Sequence, residues 1–225
     1  MNKPFPVPQG SAAQRIEAEL RRAIVALDLP PGTRLSEQEI AGRHGMSRQP
    51  VREAMIALAR ARLVEILPQR GTVVVKISAR KMMEARFIRE AIETAVVRRA
   101  CSSFDRQSRQ RIDDLLGMQE DAARRDDHTG FQRYDEMFHV TLAEGAGCPL
   151  AWDTVQDIKA HMDRVCQLSL PGANAMLPLI AQHKAIVAAI DAQDEAKAEE
   201  AMRFHLTEIL RALPRIEAEH PELFE

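Results

Sequence analysis

The sequence SEQEIAGRHGMSRQPVREAMIALA, residues 36–59, decides the fold of the first third of the chain. Ser36 and Glu39 have the spacing of a capping box, which predicts that a short helix begins there. Gly45 suits a tight turn, and Ser47 is predicted to cap a second helix directly after it. The apolar residues of that second helix recur at helical spacing and predict its buried face: Val51, Ala54, Met55, Leu58 and Ala59.

The flanking sequence extends this pair of helices in both directions. Apolar residues at helical spacing in 11–27 predict a preceding helix. Two β-rich runs, 64–67 and 72–76, flank the sequence PQRG at 68–71, which predicts a hairpin with its glycine at positive φ. Three helices followed by a β-hairpin wing are typical of a winged helix-turn-helix DNA-binding domain, here residues 11–77.

From Ser78 onward the pattern is helical almost throughout. Six helices are predicted, at 79–100, 105–125, 129–145, 149–168, 175–192 and 194–211. Proline and glycine mark one of the breaks between them, Pro171-Gly172. Short connections between amphipathic helices indicate an all-α antiparallel bundle, residues 78–215, so the predicted fold class is mainly α.

Charge is divided unequally along the chain. The first 76 residues hold 12 lysines and arginines against 7 acidic residues, a net charge of +5, whereas the remainder has a net charge of −7. A basic head on an acidic body is expected when one domain alone meets a polyanion, although a solvated arginine-rich face has the same composition. Three widely spaced cysteines argue against a disulfide framework or a zinc ribbon, and no run has the length of a membrane span or signal peptide. We therefore expect a reduced, cytoplasmic protein that does not contact a membrane.

Arginines cluster where the predicted recognition helix begins. Arg48 and Arg52 are four residues apart and lie on one side of that helix. In the major groove an arginine donates bidentately to guanine, and Ser47 with the first helical N–H groups suits a phosphate oxygen. Arg70 at the wing tip can reach the adjacent minor groove or backbone. The pattern predicts double-stranded DNA as a partner, against the alternative of an exposed arginine-rich helix without one.

Three motifs in this region resemble the DNA-binding domain of GntR-type bacterial transcription regulators. They follow in order along residues 14–76: Pro31-Gly32-Thr33-Arg34-Leu35-Ser36-Glu37, then Ser47-Arg48-Gln49-Pro50-Val51-Arg52-Glu53-Ala54, then Arg70-Gly71. The resemblance implies a set of operator contacts: Arg34, Ser47, Arg48, Gln49, Arg52, Arg70 and Gly71. Gln49 stands where the family commonly has threonine. A homodimer would present two recognition helices about 34 Å apart, which implies a pseudo-palindromic operator.

One carboxylate and several imidazoles fall on apolar helix faces of the predicted bundle. Asp135 and His139 are four residues apart on one helix, and His183 and His205 lie in the apolar stripes of two others. A buried polar group without a partner costs roughly several kcal/mol. These four are therefore predicted to share a divalent metal ion, with Zn²⁺ as the first candidate and Ni²⁺, Mn²⁺ or Fe²⁺ as alternatives. For any one histidine the alternative is a core imidazole hydrogen-bonded to a carbonyl oxygen, and His161 is a fifth candidate ligand.

Residues 79–212 resemble the ligand-binding domain of the FadR subfamily of these regulators, an antiparallel helical bundle called an FCD domain. The resemblance is carried by Arg89…Glu93, Asp135-x-x-Phe138-His139, Gln182-His183-x-x-Ile186 and Met202-x-x-His205-Leu206. It implies a small organic acid as the effector and a divalent ion held by the matching residues: Asp135, His139, His183 and His205. Cys148 and Gln182 depart from the family pattern, in which an asparagine and an acidic residue are usual.

Arg89 stands in the middle of an apolar helix stripe, and a buried guanidinium needs an anion. Glu93, one turn on, is one candidate, and the carboxylate of an effector bound beside the metal is the other. The second choice makes Arg89 an effector-binding residue, which would let the effector shift the helix 79–100 that follows the wing. The direction of that response stays open.

These observations predict a homodimeric transcription factor whose operator affinity responds to an organic acid. One alternative is a metal sensor whose effector is the ion itself. The other is a metal-dependent hydrolase, since such a site can activate water. The sequence has no HExxH motif, no glycine-rich phosphate loop and no nucleophile with an evident base, so no enzyme is predicted.

Overall fold

The computed structural model describes residues 10–170 and 173–225, and the chain divides into two compact units between Lys76 and Ile77. The predicted break at Pro171-Gly172 lies outside the described residues. Both units are mainly helical, as the sequence predicted, and the sheet belongs to the first unit. Within the described ranges, no helix has both the length and the apolar character needed to cross a membrane.

The first unit is a winged helix-turn-helix, which confirms the predicted fold. Its elements are α1 (Ala12–Val25), β1 (Arg34–Leu35), α2 (Glu37–Arg43), α3 (Arg48–Arg60), β2 (Val64–Leu67) and β3 (Gly71–Val74). The strands form an antiparallel sheet in the order β1-β3-β2. Gly71 closes the hairpin with a φ of +87°, a left-handed conformation that glycine adopts without steric cost. Strand β1 was not predicted, because two residues are too few to show a hydrophobic period.

Serine side chains occupy the N-caps of the helix-turn-helix. The Ser36 hydroxyl accepts from the Glu39 N–H at 3.3 Å and starts α2 as predicted. Ser47 holds the N-cap position of α3, but its hydroxyl makes no capping hydrogen bond, so the predicted cap is wrong in that respect. Pro50, at the third helical position, has no N–H, which removes one of the two backbone donors that an N-cap side chain can use. The apolar faces of α1 and α3 pack together and form the core of this unit: Ile16, Leu20, Ile24, Val51, Met55 and Leu58.

The second unit is a helical bundle, also as predicted. Its elements are α4 (Ala79–Ser102), α5 (Arg106–Arg124), α6 (His128–Gly145), α7 (Pro149–Ile158), α8 (Ala160–Ser169), α9 (Ala173–Asp191) and α10 (Glu195–Glu219), followed by a 3₁₀ turn at Pro221–Leu223. The C-terminal residues pair with the first residue of this unit: Ile77 N donates to Leu223 O at 2.8 Å, and Glu225 N donates to Ile77 O at 3.0 Å.

Two helices of the bundle differ from their predicted extents. The segment predicted as one helix at 149–168 is two helices that meet at Lys159. The buried ammonium of Lys159 binds the Asp163 carboxylate at 2.8 Å, a local contact that apolar spacing does not reveal. Helix α10 was predicted to end at 211, but it continues through Pro214 to Glu219. Buried apolar residues on both sides of the proline hold it in place.

The bundle core lies where α4, α5, α6, α9 and α10 pack against one another. Its buried apolar residues come from all five helices and include Val97, Ile112, Phe138, Leu142, Ile186 and Met202. Helices α6, α9 and α10 each turn one face to this core. Polar residues on those same faces are therefore buried with it, and they form the site described next.

Candidate functional site

The residues predicted to contact DNA are all exposed on the first unit: Arg34, Ser47, Arg48, Gln49, Arg52, Arg70 and Gly71. Arg48 and Arg52 lie near the start of α3, with 61% and 53% of their side-chain area exposed. Both bind Glu37 at the start of α2, Arg48 through Nη2 at 2.8 Å and Arg52 through Nε and Nη2 at 3.1 Å. The two predicted base-reading arginines therefore share one face and one anion.

Glu37 was missed by the sequence analysis. Hydrogen bonds from Arg52 and Arg48 lower the pKa of its carboxyl group, so Glu37 stays ionised beside them. An ion pair this exposed contributes little to stability because water screens it, so its main effect is to orient the two guanidinium groups. The only signal in the sequence was its place inside the first GntR-like motif, because the contact depends on how α2 packs against α3.

The three-stranded sheet and its hairpin carry two further cations. Arg34 lies in β1, which pairs with β3, and Arg70 lies in the hairpin turn, where its N–H donates to Leu67 O at 3.1 Å. Both side chains are exposed. Gln49 on α3 is exposed too, and its Nε2 donates to Glu53 Oε1 at 3.0 Å. The arrangement offers cations on a helix and on a wing, the two elements with which winged helix-turn-helix proteins contact a duplex.

The second unit brings all four predicted metal ligands together. Asp135 and His139 come from α6, His183 from α9 and His205 from α10, and one ligand atom of each lies within 4.8 Å of all the others. The Nε2 atom of His205 is 3.2 Å from that of His139 and 3.4 Å from that of His183, and Asp135 Oδ1 is 3.3 Å from His183 Nε2. The fifth candidate, His161, is not part of the group: its Nδ1 accepts from Ser78 N at 3.0 Å.

Each of the three imidazoles faces an acceptor with its other ring nitrogen. Gln119 Oε1 is 2.8 Å from His183 Nδ1, and Gln119 Nε2 donates to the Tyr134 carbonyl. Gln182 Oε1 is 3.0 Å from His205 Nδ1. Gln182 Nε2 donates to the Glu208 carboxylate at 3.1 Å. Because both amide nitrogens already have acceptors, both amide oxygens must face the rings.

The third ring, His139, contacts the Glu93 carboxylate through its Nδ1. An ionised carboxylate can only accept, so the Nδ1 of His139 carries the hydrogen. The same holds for His183 and His205, whose Nδ1 atoms face amide oxygens. All three Nε2 lone pairs therefore point at one place. Burial lowers the pKa of His183 and of His205, which keeps both rings neutral near pH 7.

A shared cation fits this arrangement. The Nε2 atoms are 3.2 and 3.4 Å apart, and nitrogen atoms that turn lone pairs toward one another at such distances repel unless a positive charge lies between them. Nitrogen ligands bind Zn²⁺ at about 2.0–2.1 Å, so two nitrogens on one ion lie roughly 3–3.4 Å apart. Asp135 Oδ1 is 3.3 Å from His183 Nε2, and because neither a carboxylate oxygen nor an Nε2 lone pair donates a hydrogen, a cation between them would satisfy both. Three nitrogens and one carboxylate suit Zn²⁺, Ni²⁺, Mn²⁺ or Fe²⁺.

Arg89 is linked to this group through Glu93. The Arg89 guanidinium is buried and pairs with one carboxylate oxygen of Glu93, while the other oxygen contacts His139. Although burial opposes the charged form, Arg89 and His139 together lower the pKa of Glu93 to about 2. Glu93, one of the two anions considered for Arg89, is thus its partner in this structure, and it also contacts a candidate metal ligand, which the sequence analysis did not foresee.

A cavity of about 340 Å³ adjoins the candidate metal centre. Asp135 and His205 form part of its wall, and the rest is largely apolar, including Phe131, Leu170, Leu179 and Ile209. The cation in its lining is Arg211, whereas Arg89 is not among the lining residues. The cavity wall and the amide partners Gln119 and Gln182 were beyond the reach of sequence patterns, because each comes from helices that meet only in the folded bundle.

Comparisons with known proteins agree with this description. Residues 12–74 match the family of bacterial regulatory proteins called the gntR family, and residues 84–208 match the FCD domain. The chain is 41% identical over 211 residues to the HTH-type transcriptional repressor RspR of Escherichia coli (strain K12). The matched region covers 94% of this chain and 92% of RspR.

Two solved structures have a similar fold. A transcriptional regulator GntR from Rhodococcus sp. RHA1 has a TM-score of 0.76 at 25% identity, covering 91% of this chain and 99% of that one. E. coli McbR/YncC has a TM-score of 0.80 at 19% identity, covering 94% and 100%, and shows the likeness of fold alone. The chain therefore belongs to the GntR family of bacterial transcriptional regulators, and its second unit carries an FCD domain.

Proposed function

We propose that this regulator binds a pseudo-palindromic DNA operator as a homodimer, and that a small organic acid bound beside a divalent metal ion sets its operator affinity. The observation that carries the metal is the convergence of three Nε2 atoms whose Nδ1 partners are all acceptors. The acid is supported by the cavity that reaches the same site at Asp135 and His205.

The ion would be held by the four residues that converge in the bundle: Asp135, His139, His183 and His205. Zn²⁺ is the first candidate, with Ni²⁺, Mn²⁺ or Fe²⁺ as alternatives, because all four accept mixed imidazole and carboxylate ligands. When bound, the ion supplies a Lewis-acid contact for a carboxylate. Gln119, Gln182 and Glu93 hold the rings in the required tautomer, as residues behind metal-bound histidines commonly do.

Arg89 remains the predicted effector contact, although it is not among the residues that line the cavity. Glu93 accepts from Arg89 and also holds His139, so a carboxylate that draws Arg89 away from Glu93 changes both contacts at once. Arg89 and Glu93 lie on α4, which begins at Ala79, just after the junction between the two units. A ligand alters DNA affinity only if it binds two arrangements of the protein unequally, and α4 is the element that can differ between them.

On the DNA side, α3 and the wing divide the work. Arg48 and Arg52 exchange the Glu37 carboxylate for guanine edges or phosphates in the major groove. Arg34 on β1 and Arg70 at the tip of the wing add contacts to the DNA backbone or the adjacent minor groove. Because these cations are exposed and already oriented, little rearrangement of the first unit is needed on binding.

A metal sensor is the second candidate function. Four ligand atoms within 4.8 Å of one another can complete a site without any organic ligand. In that case, however, the cavity that reaches Asp135 and His205 has no use, which favours the acid. The matched relatives are transcriptional regulators, which favours either regulator over a hydrolase.

Operator binding tests these alternatives directly. A duplex selected from random sequence is titrated with metal-free and metal-loaded protein, each with and without a panel of organic acids, and the metal content is measured by elemental analysis. We expect about one ion per chain and a change in operator affinity only when metal and acid are both present. His183→Ala should lose the response, and the matched control His220→Ala, a histidine 40% exposed outside the site, should retain it.

Two outcomes would count against the proposal. A response to metal alone, with no acid in the panel adding to it, would favour the sensor. An acid response that survives in His183→Ala would overturn the metal-dependent mechanism, because one of the three converging nitrogens would then be unnecessary.

A further inference from the structure

The cavity beside the candidate metal centre extends away from it along the helices that supply the ligands. On α10, Ile209 and Ala212 line the cavity four and seven residues after His205. On α6 and α9 the lining side chains one turn before the ligand are Phe131 and Leu179. Residues at these spacings follow one helix face, and seven residues of helix rise about 10 Å. The candidate metal centre therefore lies at one end of the cavity, and the wall beyond it is apolar.

Polar side chains in this wall, apart from the two candidate ligands, already have partners. Ser169 Oγ and Gln132 Nε2 each donate to a backbone carbonyl, at 2.8 and 3.2 Å. The Glu208 carboxylate accepts from Gln182 at 3.1 Å and from Arg211 at 3.2 Å. A hydroxyl group that entered this cavity would lose its hydrogen bonds to water, and the described part of the wall offers little to replace them.

We infer that the acid bound here is a monocarboxylic acid with an apolar chain, its carboxylate at the proposed metal ion and its chain along α10. The inference rests on the function proposed above and names the class of acid. A sugar acid has the same carboxylate, but it would place hydroxyl groups against Phe131, Leu179 and Ile209, where a hydrocarbon chain loses nothing by leaving water.

The volume of the cavity limits the length of the chain. An apolar cavity of about 150 Å³ holds one benzene molecule, so about 340 Å³ has room for roughly a dozen non-hydrogen atoms. A straight-chain acid of about ten carbons has that size.

A second carboxylate at the far end of the chain would gain little. Arg211 is a cation in the lining, but 64% of its side chain is exposed and it already pairs with Glu208. Water screens a charge that is so exposed, and the Glu208 carboxylate would repel another anion. The wall therefore favours an acid with one charged end.

Titration calorimetry of the full-length, Zn²⁺-loaded protein tests the class of acid. In a series of straight-chain acids from butyrate to dodecanoate, each added methylene should tighten binding about fourfold. The gain should end at about ten carbons, when the cavity is full. Hexanoate should bind at least about tenfold more tightly than gluconate, which has the same number of carbons but carries hydroxyl groups along its chain. Octanol, which has the chain of octanoate without the carboxylate, should bind more weakly than octanoate.

Two variants of α10 locate the chain. Ala212→Leu fills the far end of the cavity, so decanoate should bind about tenfold more weakly, while butyrate and Zn²⁺ should bind within about twofold of wild type. Ile209→Ala removes apolar contacts without adding bulk and should also weaken decanoate binding by about tenfold. Ala196→Leu changes an exposed alanine of the same helix that does not line the cavity, and this control should bind every acid as wild type does.

The outcomes separate this inference from the function on which it rests. If gluconate binds the Zn²⁺-loaded protein as tightly as hexanoate and affinity does not rise with chain length, the apolar chain is wrong and an acid at the metal ion stands. If octanol binds as tightly as octanoate, or the metal-free protein binds decanoate as tightly as the loaded protein, the carboxylate does not contact the metal ion and the inference is overturned. If no acid of either kind binds, the proposed acid effector fails, and this inference with it.

Discussion

Replacing Gln119 by leucine tests whether the buried amide beside His183 prepares the metal site. Gln119 is fully buried; its Oε1 is 2.8 Å from His183 Nδ1, and its Nε2 donates to the Tyr134 carbonyl at 3.2 Å. Leucine has a similar volume but no polar atoms, so both partners are left unsatisfied. His183 can then rotate or place its hydrogen on Nε2, where the metal needs a lone pair.

The expected loss can be estimated from these contacts. Removing the hydrogen-bond partner of a metal-bound histidine costs about 10–100-fold in metal affinity, which corresponds to roughly 1.4–2.7 kcal/mol. In the metal-free protein the two unsatisfied groups cost about 1–3 kcal/mol each. The matched control is Gln119→Glu, which keeps an acceptor for His183 but loses the donor to Tyr134. We expect it to be destabilised as well, with metal affinity within about threefold of wild type.

Competition against a chromophoric chelator gives the dissociation constant for Zn²⁺, and thermal unfolding of metal-free protein gives the stability. The two measurements separate a loose site from a weakened fold, because Gln119→Leu should change both and Gln119→Glu chiefly the second. A folded Gln119→Leu protein that binds Zn²⁺ within threefold of wild type would refute the reasoning. It would mean either that His183 needs no orienting partner or that it is not a ligand.

Further predictions concern the rest of the molecule. Arg48→Lys should lower operator affinity by about 1–3 kcal/mol and relax base preference at one position. Arg70→Ala should reduce the slope of log affinity against log salt concentration by about one. Binding to single-base operator variants over a series of salt concentrations measures both effects. Glu37→Gln should raise affinity for random duplex, measured by fluorescence anisotropy, because both arginines of α3 lose their anion. Burial raises the pKa of the Cys166 thiol to about 12 from 9.0. Cys166 lines the cavity and is only partly buried, so iodoacetamide at pH 8 should alkylate it more slowly in the native protein than in the unfolded chain without being excluded from it. The folded protein should lose stability as pH rises above about 9, where the unfolded thiol ionises first.

Helical periodicity explains how much of the site could be predicted. Asp135 and His139 are four residues apart, so the sequence alone places them on one helix face, and the apolar neighbours of His183 and His205 mark two more faces as buried. Buried polar side chains need partners, and the ones on these three helix faces have few partners available other than one another. The structure brings those four side chains together, as the pattern predicted.

The sequence could not predict the side-chain contacts that residues on one helix make with residues on another. Gln119 lies on α5 and Gln182 on α9, and nothing in their local sequence distinguishes them from surface glutamines until the helices pack. The break at Lys159 has the same origin, since it is accompanied by a buried ion pair rather than by glycine or proline. Ser47 shows the limit of a rule applied one residue at a time: it holds the N-cap position but makes no capping bond, and Pro50 removes one of the two N–H groups that could donate.

One helix connects the proposed effector contact with the junction between the two units. Arg89 and Glu93 face the bundle interior, while Ala91, midway between them in sequence, faces outward. A helix moves as a unit, so a shift that follows an exchange of partners at Arg89 carries the outward face with it. In the proposed homodimer the two copies are related by a two-fold axis, so such a shift in both copies would change the distance between the two α4 N-termini. Each α4 follows directly from a DNA-binding unit, and an operator accepts its two recognition helices only near one spacing, about 34 Å. Under the proposed mechanism, a displacement too small to disturb the fold of either unit would therefore be sufficient to alter operator affinity.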